Sequence, residues 1–172
     1  MHLNPYGEEP VLLAADLSND PPTTAADLTE RCQEAGLHIE LPATRADVAA
    51  VAELLDDWVG VVDASSERER ARLLNAMLAT WAEHPRLTDH ADGWHLHYRP
   101  DRAKLSRILA TLISVGTALH LTGRGMGRLG RCGASDCDRV FADVSRNGTQ
   151  RWCSTRCGNR SAVRRHRAKA IS

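Results

Sequence analysis

Residues 132–157 read CGASDCDRVFADVSRNGTQRWCSTRC and hold four of the chain's five cysteines. Their spacing is C-x4-C-x15-C-x3-C. Two short-spaced pairs let two local turns each present two sulfurs, and the loop between them brings the pairs together. Structural zinc takes four tetrahedral ligands, and thiolates suit it well. Redox motifs carry one pair with two intervening residues, and secreted disulfide frameworks spread an even set of cysteines along the chain. The pattern therefore points to one Zn²⁺ on Cys132, Cys137, Cys153 and Cys157. A segment of about 40 residues rarely buries enough surface to fold alone, whereas a structural zinc contributes on the order of 10–16 kcal/mol. Four cysteines close the coordination sphere, and residues 124–172 contain no Glu to serve as a base. The site reads as structural, not catalytic.

Working outward, Asn147-Gly148 is a strong hairpin-turn signal. Phe141 and Val144 on one side and Trp152 on the other are placed to form a small apolar layer. Ser154 is positioned to cap a helix beginning near Thr155, with Cys157 in its first turn. A knuckle, a hairpin and a helix around one metal make a treble-clef-like finger.

The formal net charge is zero, but it is unevenly distributed. Residues 124–172 hold 12 Arg/Lys against 3 Asp, and residues 1–123 hold 10 against 19. An acidic body with a basic C-terminal segment suggests nucleic-acid contact. If residues 155–169 form one helix, Arg160, Arg164 and Arg167 share a stripe that Arg156 extends by one turn. Arg165 and Lys169 form a neighbouring row. Like charges at this spacing destabilise an isolated helix, and a polyanion laid over them relieves the repulsion. Arg146, Asn147, Gln150 and Arg151 in the turn supply further contacts. Duplex DNA is the expected partner. RNA is the competing one, although the finger lacks an aromatic stacking platform. A solvated tail from an arginine-rich composition is the bland alternative, since only two of the basic residues are lysines.

The first 122 residues read as a mainly α-helical domain with a small β element. PVLLAADLSND is a short strand or apolar lead-in. A helix is expected from about Thr23 to Ala35, started by Pro21-Pro22 and ended by Gly36. Thr44 with Asp47, and Ser66 with Glu69, look like helix caps ahead of apolar faces through Trp58 and Trp81. GWHLHYRP alternates as a strand, with Trp94, Leu96 and Tyr98 on one side and His95 and His97 on the other. The tryptophans Trp58, Trp81 and Trp94 are expected in the core, and the histidine face is expected in solvent. Pro100 opens a long helix. Its apolar run, Ile108 to Leu121, spans 14 residues. A bilayer crossing needs about 20, so the run is expected to be a buried helix and no membrane contact is expected. Residues 123–130, GRGMGRLG, have the glycine content of a linker. The division is thus 1–122, 123–130 and 131–172.

FADVSRNGTQRWCSTRCGNR resembles the CGNR zinc finger, through Cys132, Cys137, Phe141, Asp143, Ser145, Arg151, Trp152, Cys153, Ser154 and the tetrad Cys157, Gly158, Asn159 and Arg160. In that family the finger follows an ABATE domain, a mainly α-helical bacterial domain described as a stress-induced transcription regulator. LPATRADVAAVAELL, LLNAMLA and the placement of GWHLHYRP resemble that domain, and its apolar-Asp-apolar-Asn-Thr start is partly present in AADLSND. The resemblance implies a zinc-dependent, DNA-binding transcription regulator in the bacterial cytoplasm, associated with the nucleoid. The helical domain would sense a small-molecule effector or form a homodimer. Residues 1–122 show no nucleophile elbow, phosphate loop or paired metal-binding carboxylates, so an enzyme is not expected. The alternative is an RNA-binding or protein–protein adaptor finger attached to a ligand-binding or enzymatic helical domain.

Overall fold

A computed structural model describes residues 7–39, 41–89 and 93–171, with side chains through residue 168. His90 and the Lys169 side chain lie outside the described residues. Six helices and two antiparallel two-stranded sheets follow in the order α1 (Glu8–Asn19), α2 (Ala25–Glu34), α3 (Arg45–Asp63), α4 (Glu67–Trp81), β1 (Arg86–Thr88), β2 (His95–His97), α5 (Leu105–Arg124), β3 (Leu129–Arg131), β4 (Val140–Ala142) and α6 (Thr155–Ile171). The mainly α class with a small C-terminal finger is as the sequence indicates.

The first segment is a correction: residues 8–19 form α1, not a strand. Pro10, Val11, Leu13, Ala14, Ala15 and Leu17 are buried, and the outward face of Glu9, Leu12 and Asp16 is broken by a leucine, which blurs the helical period. Its start approaches α5 closely. A Cβ at Gly7, which has φ 60°, would stand 2.0 Å from the Gly116 carbonyl oxygen, and one at Gly116 would meet the Pro10 ring at 2.5 Å.

The expected caps are present. Gly36, at φ 77°, closes α2 in a Schellman motif: Leu37 N–H reaches the Cys32 carbonyl at 2.9 Å and Gly36 N–H the Gln33 carbonyl at 2.8 Å. Thr44 and Asp47 form a reciprocal capping box on α3. Asp47 does more than cap. One carboxylate oxygen accepts from Thr44 N and Oγ1 (2.9 and 2.6 Å), and the other from Ser106 N and Oγ (3.1 and 2.6 Å). It therefore ties the starts of α3 and α5 together.

Helix α5 is the centre of the body, against α1, α3 and α4. It is long and apolar enough to cross a membrane by length and composition alone, yet 67% of that apolar span is buried inside the protein. Trp58, fully buried, donates to Thr117 Oγ1 at 2.9 Å. Trp94 is the exception among the tryptophans. It is 73% exposed, because β2 turns the opposite face inward and buries His97 instead. The period-2 alternation predicted which residues share a face but not which face is covered.

Residues 123–130 do not separate two bodies. Helix α5 runs through Arg124, Gly125 at φ 112° ends it, and β3 begins at Leu129. Leu129, Val140 and Ala142 belong to the same hydrophobic cluster as α1, α3 and α5. The Asn19 side-chain amide donates to Val140 O and accepts from Val140 N (2.9 and 2.8 Å), pairing with β4 as a short strand would. Arg131 pairs with both oxygens of Asp63 at the end of α3 (2.8 and 2.7 Å). Buried Arg70 caps the Val61 and Val62 carbonyls and also reaches Met126 O, fixing the turn after α5.

Burial opposes ionisation of Asp47, but the bonds from Ser106 and Thr44 outweigh it and bring its pKa from 3.8 down to about 2. A depressed folded-state pKa gives stability that is complete above about pH 4 and lost as pH falls toward about 2. Asp47→Ala should lower unfolding free energy by about 2–3 kcal/mol at neutral pH, as a lost cap plus orphaned donors. Thermal melts should show this deficit shrinking between pH 4 and pH 2. A pH-independent deficit would contradict the role assigned to the carboxylate.

Candidate metal centre

The loop joining β3 to β4 is the first knuckle. Cys132 N–H bonds the Arg139 carbonyl at 2.8 Å, continuing the ladder, and Cys137 N–H turns back to the Ala134 carbonyl at 3.1 Å. The second pair arrives on another segment. Gly133 N–H bonds the Arg151 carbonyl at 2.7 Å, which lays residues 151–153 against the knuckle, and a Cβ on Gly133 would stand 3.1 Å from that oxygen. Ser154 caps α6, its Oγ accepting from Cys157 N at 3.3 Å. Cys157 is thereby fixed in the first turn, as the sequence predicts.

All four Sγ atoms lie within 4.8 Å of one another. Cys137–Cys153 and Cys153–Cys157 are each 3.7 Å apart. A tetrahedron with zinc–sulfur bonds of about 2.3 Å has edges of about 3.8 Å, so the donor set fits a single Zn²⁺. Cys132 and Cys157 are buried, and Ala134 and Trp152 pack over the cluster. Burial and neighbouring thiols push Cys153 up to about 12, whereas the Ser154 hydroxyl and the other thiols bring Cys157 down to about 7. A dication between them removes this inequality, because coordination deprotonates thiols. Cys32, on α2, is fully buried and its thiol is pushed up to about 12 by burial, so it is a core residue.

Outer groups hold this arrangement. Arg160 Nη2 lies 3.3 Å from Cys157 Sγ, and its Nε ion-pairs with Asp136 at 3.1 Å. Arg164 bonds Ser135 Oγ (2.6 Å) and Asp136 (3.1 Å). Two arginines thus stitch α6 to the first knuckle and place positive charge beside sulfur. On the other side, buried Asp143 accepts from Ser145 N and Oγ and from Gln150 N, and lies 3.5 Å from Arg128. Burial raises its pKa, but these bonds win and hold it below the usual carboxylate value. Gly148, at φ 64°, supplies the left-handed conformation of this turn, and the Arg128 guanidinium lies 2.8 Å from where a Cβ would stand.

Two expectations are corrected. Asn147-Gly148 makes a turn, but residues 149–152 form no strand, because their backbone is committed to Asp143 and Gly133; the hairpin is β3–β4. The expected apolar layer is divided as well. Val144 packs on the large core and Trp152 on the cysteines.

The chain's residues 128–170 match the CGNR zinc finger family. No curated protein matches the chain. The finger's boundaries in the family match begin at Arg128, the residue that spans Arg124 O, Asp143 O and Ser145 O.

The residues expected to contact nucleic acid fall into two sets. Arg146, Asn147, Arg151, Arg156 and Arg167 are exposed, with no side-chain partner among the described residues. Arg160 and Arg164 are not a free stripe, for Asp136 holds both. Gln150 is occupied by the Trp152 carbonyl (3.1 Å), and Arg165 lies over the Trp152 ring at 5.6 Å. Sequence reasoning missed Asp136, Asn19 and Arg128. The only signal was that three Asp stand in an otherwise basic segment.

Arg160→Gln, which removes the guanidinium beside Cys157 Sγ, should weaken zinc binding by about 10-fold or more, the usual effect of losing an outer partner of a metal ligand. Competition with a chromophoric chelator measures this. Unchanged affinity would mean that Arg160 orients α6 without supporting the metal.

Proposed function

We propose that the chain is a DNA-binding transcription regulator in which the zinc finger contacts duplex DNA and the helical body, an ABATE-type domain, senses an effector or dimerises. The observation that carries this reading is the charge segregation of residues 124–172, 12 basic against 3 acidic, in a chain of zero net charge. The finger consumes Arg160 and Arg164 internally and still leaves Arg146, Arg151, Arg156 and Arg167 exposed on the turn and on α6. Arg151 and Arg165 line a groove of about 660 Å³ together with Ser145, Trp152, Thr155 and Asn159. Phosphate contact is the first expected effect, and base reading follows where α6 enters a major groove.

A second groove of about 880 Å³, between α4, α5 and the β1–β2 hairpin, supports the sensing role. Leu78, Pro85, Tyr98, Val115 and Leu119 line it, which suits a mostly apolar small molecule. The reading places the protein in the bacterial cytoplasm at the nucleoid, acting in a stress response as a binding protein and not as an enzyme.

Mobility shift with random duplex DNA tests the proposal. With roughly 4–6 phosphates engaged, log K against log[salt] should slope at about −4 to −5. Arg156→Ala combined with Arg167→Ala should reduce the slope by about 2. Failure to bind at low salt, or a flat salt response, would overturn it, and stronger binding to single-stranded RNA would favour the alternative.

A further inference from the structure

His95 and His97 lie two residues apart on β2 and share one face, which the fold turns inward: His97 is buried and His95 half-buried. Their Nε2 atoms are 3.1 Å apart, and the rings meet edge-on at 64°. The remaining nitrogen of His95 has an anchor within hydrogen-bond distance, and that of His97 faces a carboxylate beyond it. His95 Nδ1 lies 2.7 Å from the Gly93 carbonyl, and because a carbonyl only accepts, this nitrogen carries the proton. His97 Nδ1 faces Asp101 at 3.9 Å, and Asp101 is itself gripped by Arg86 at 3.0 and 3.3 Å. Metal-binding histidines have this form: one nitrogen on the ion, the other aimed at a carbonyl or carboxylate that fixes the ring.

We propose that the Nε2 atoms of His95 and His97 form a second metal site, separate from the cysteine centre, that chelates one transition-metal dication of the zinc, nickel or copper class. Imidazole suits these ions. With metal–nitrogen bonds of about 2.05 Å, the observed separation gives a bite of about 98°, between the tetrahedral and square-planar angles. Among the described residues no third protein ligand joins them, so water or an exogenous donor can take the other positions. In the metal-free pair His97 Nε2–H donates to His95 Nε2. On binding, that proton moves to His97 Nδ1, on the Asp101 side, so both Nε2 lone pairs serve the ion and no net proton is released.

The test uses the full-length, tag-free chain dialysed against micromolar Zn²⁺, with bound metal measured per chain. Two equivalents are expected for the native protein, falling to one in His95→Gln with the cysteine-bound zinc and the melting temperature unchanged. Because His97 is buried, it is read without substitution: substoichiometric Ni²⁺ added to the zinc-loaded protein should broaden the His95 and His97 ring resonances before those of other histidines. One equivalent in the native chain, a second equivalent retained by His95→Gln, or broadening that spares these two rings would show a hydrogen-bonded pair only and overturn the proposal.

Discussion

Four sulfurs drawn from two chain segments fifteen residues apart converge within 4.8 Å, and the C-terminal quarter of the molecule depends on what holds them there. The finger's own apolar cluster is small: Cys132, Ala134 and Cys157 buried, with Cys137, Trp152 and Cys153 against it. Such a cluster cannot offset the conformational entropy of ordering the loop and α6, whereas a tetrathiolate zinc contributes on the order of 10–16 kcal/mol. The metal also accounts for the arginines. Four thiolates around a dication leave local negative charge, and Arg160 approaches Cys157 Sγ from α6 while Asp136 holds its guanidinium in place.

The finger is not an appendage. Its leading hairpin completes the body's core through Leu129, Val140 and Ala142, and Asn19 and Asp63 fasten its two strands to the ends of α1 and α3. Arg70 and the Glu8–Arg124 pair fix the approach to it. The exposed cations of α6 therefore have a defined orientation relative to the body, set by a hairpin that has one face on the helices and carries the first pair of ligands in its loop. Under the proposed function, this hairpin, seated on α1 and α3, ties the surface that meets DNA to the helical body.

Much of this was legible in the residues. The cysteine spacing specified the ligands, and Thr44-Asp47, Ser66, Ser154 and Gly36 marked helix ends because capping chemistry is local. What stayed hidden was mostly tertiary. The outward face of α1 carries exposed Leu12 between Glu9 and Asp16, so its polar stripe is interrupted and the helical period is blurred in the sequence. The face of β2 that is covered depends on its neighbours, so Trp94 and His97 exchanged their expected environments. Asp136 taking two arginines out of the basic stripe, and Asn19 pairing with a strand 121 residues away, are long-range choices that no spacing rule encodes.

The most direct measurement is amide hydrogen exchange on the intact chain before and after zinc is removed by a chelator, with metal content determined in parallel. One tightly held zinc at the cysteines should accompany strong protection in residues 132–165. Its removal should abolish protection there, weaken it in β3 and β4, and leave α3 and α5 largely protected. A finger that keeps its protection without metal would contradict the account.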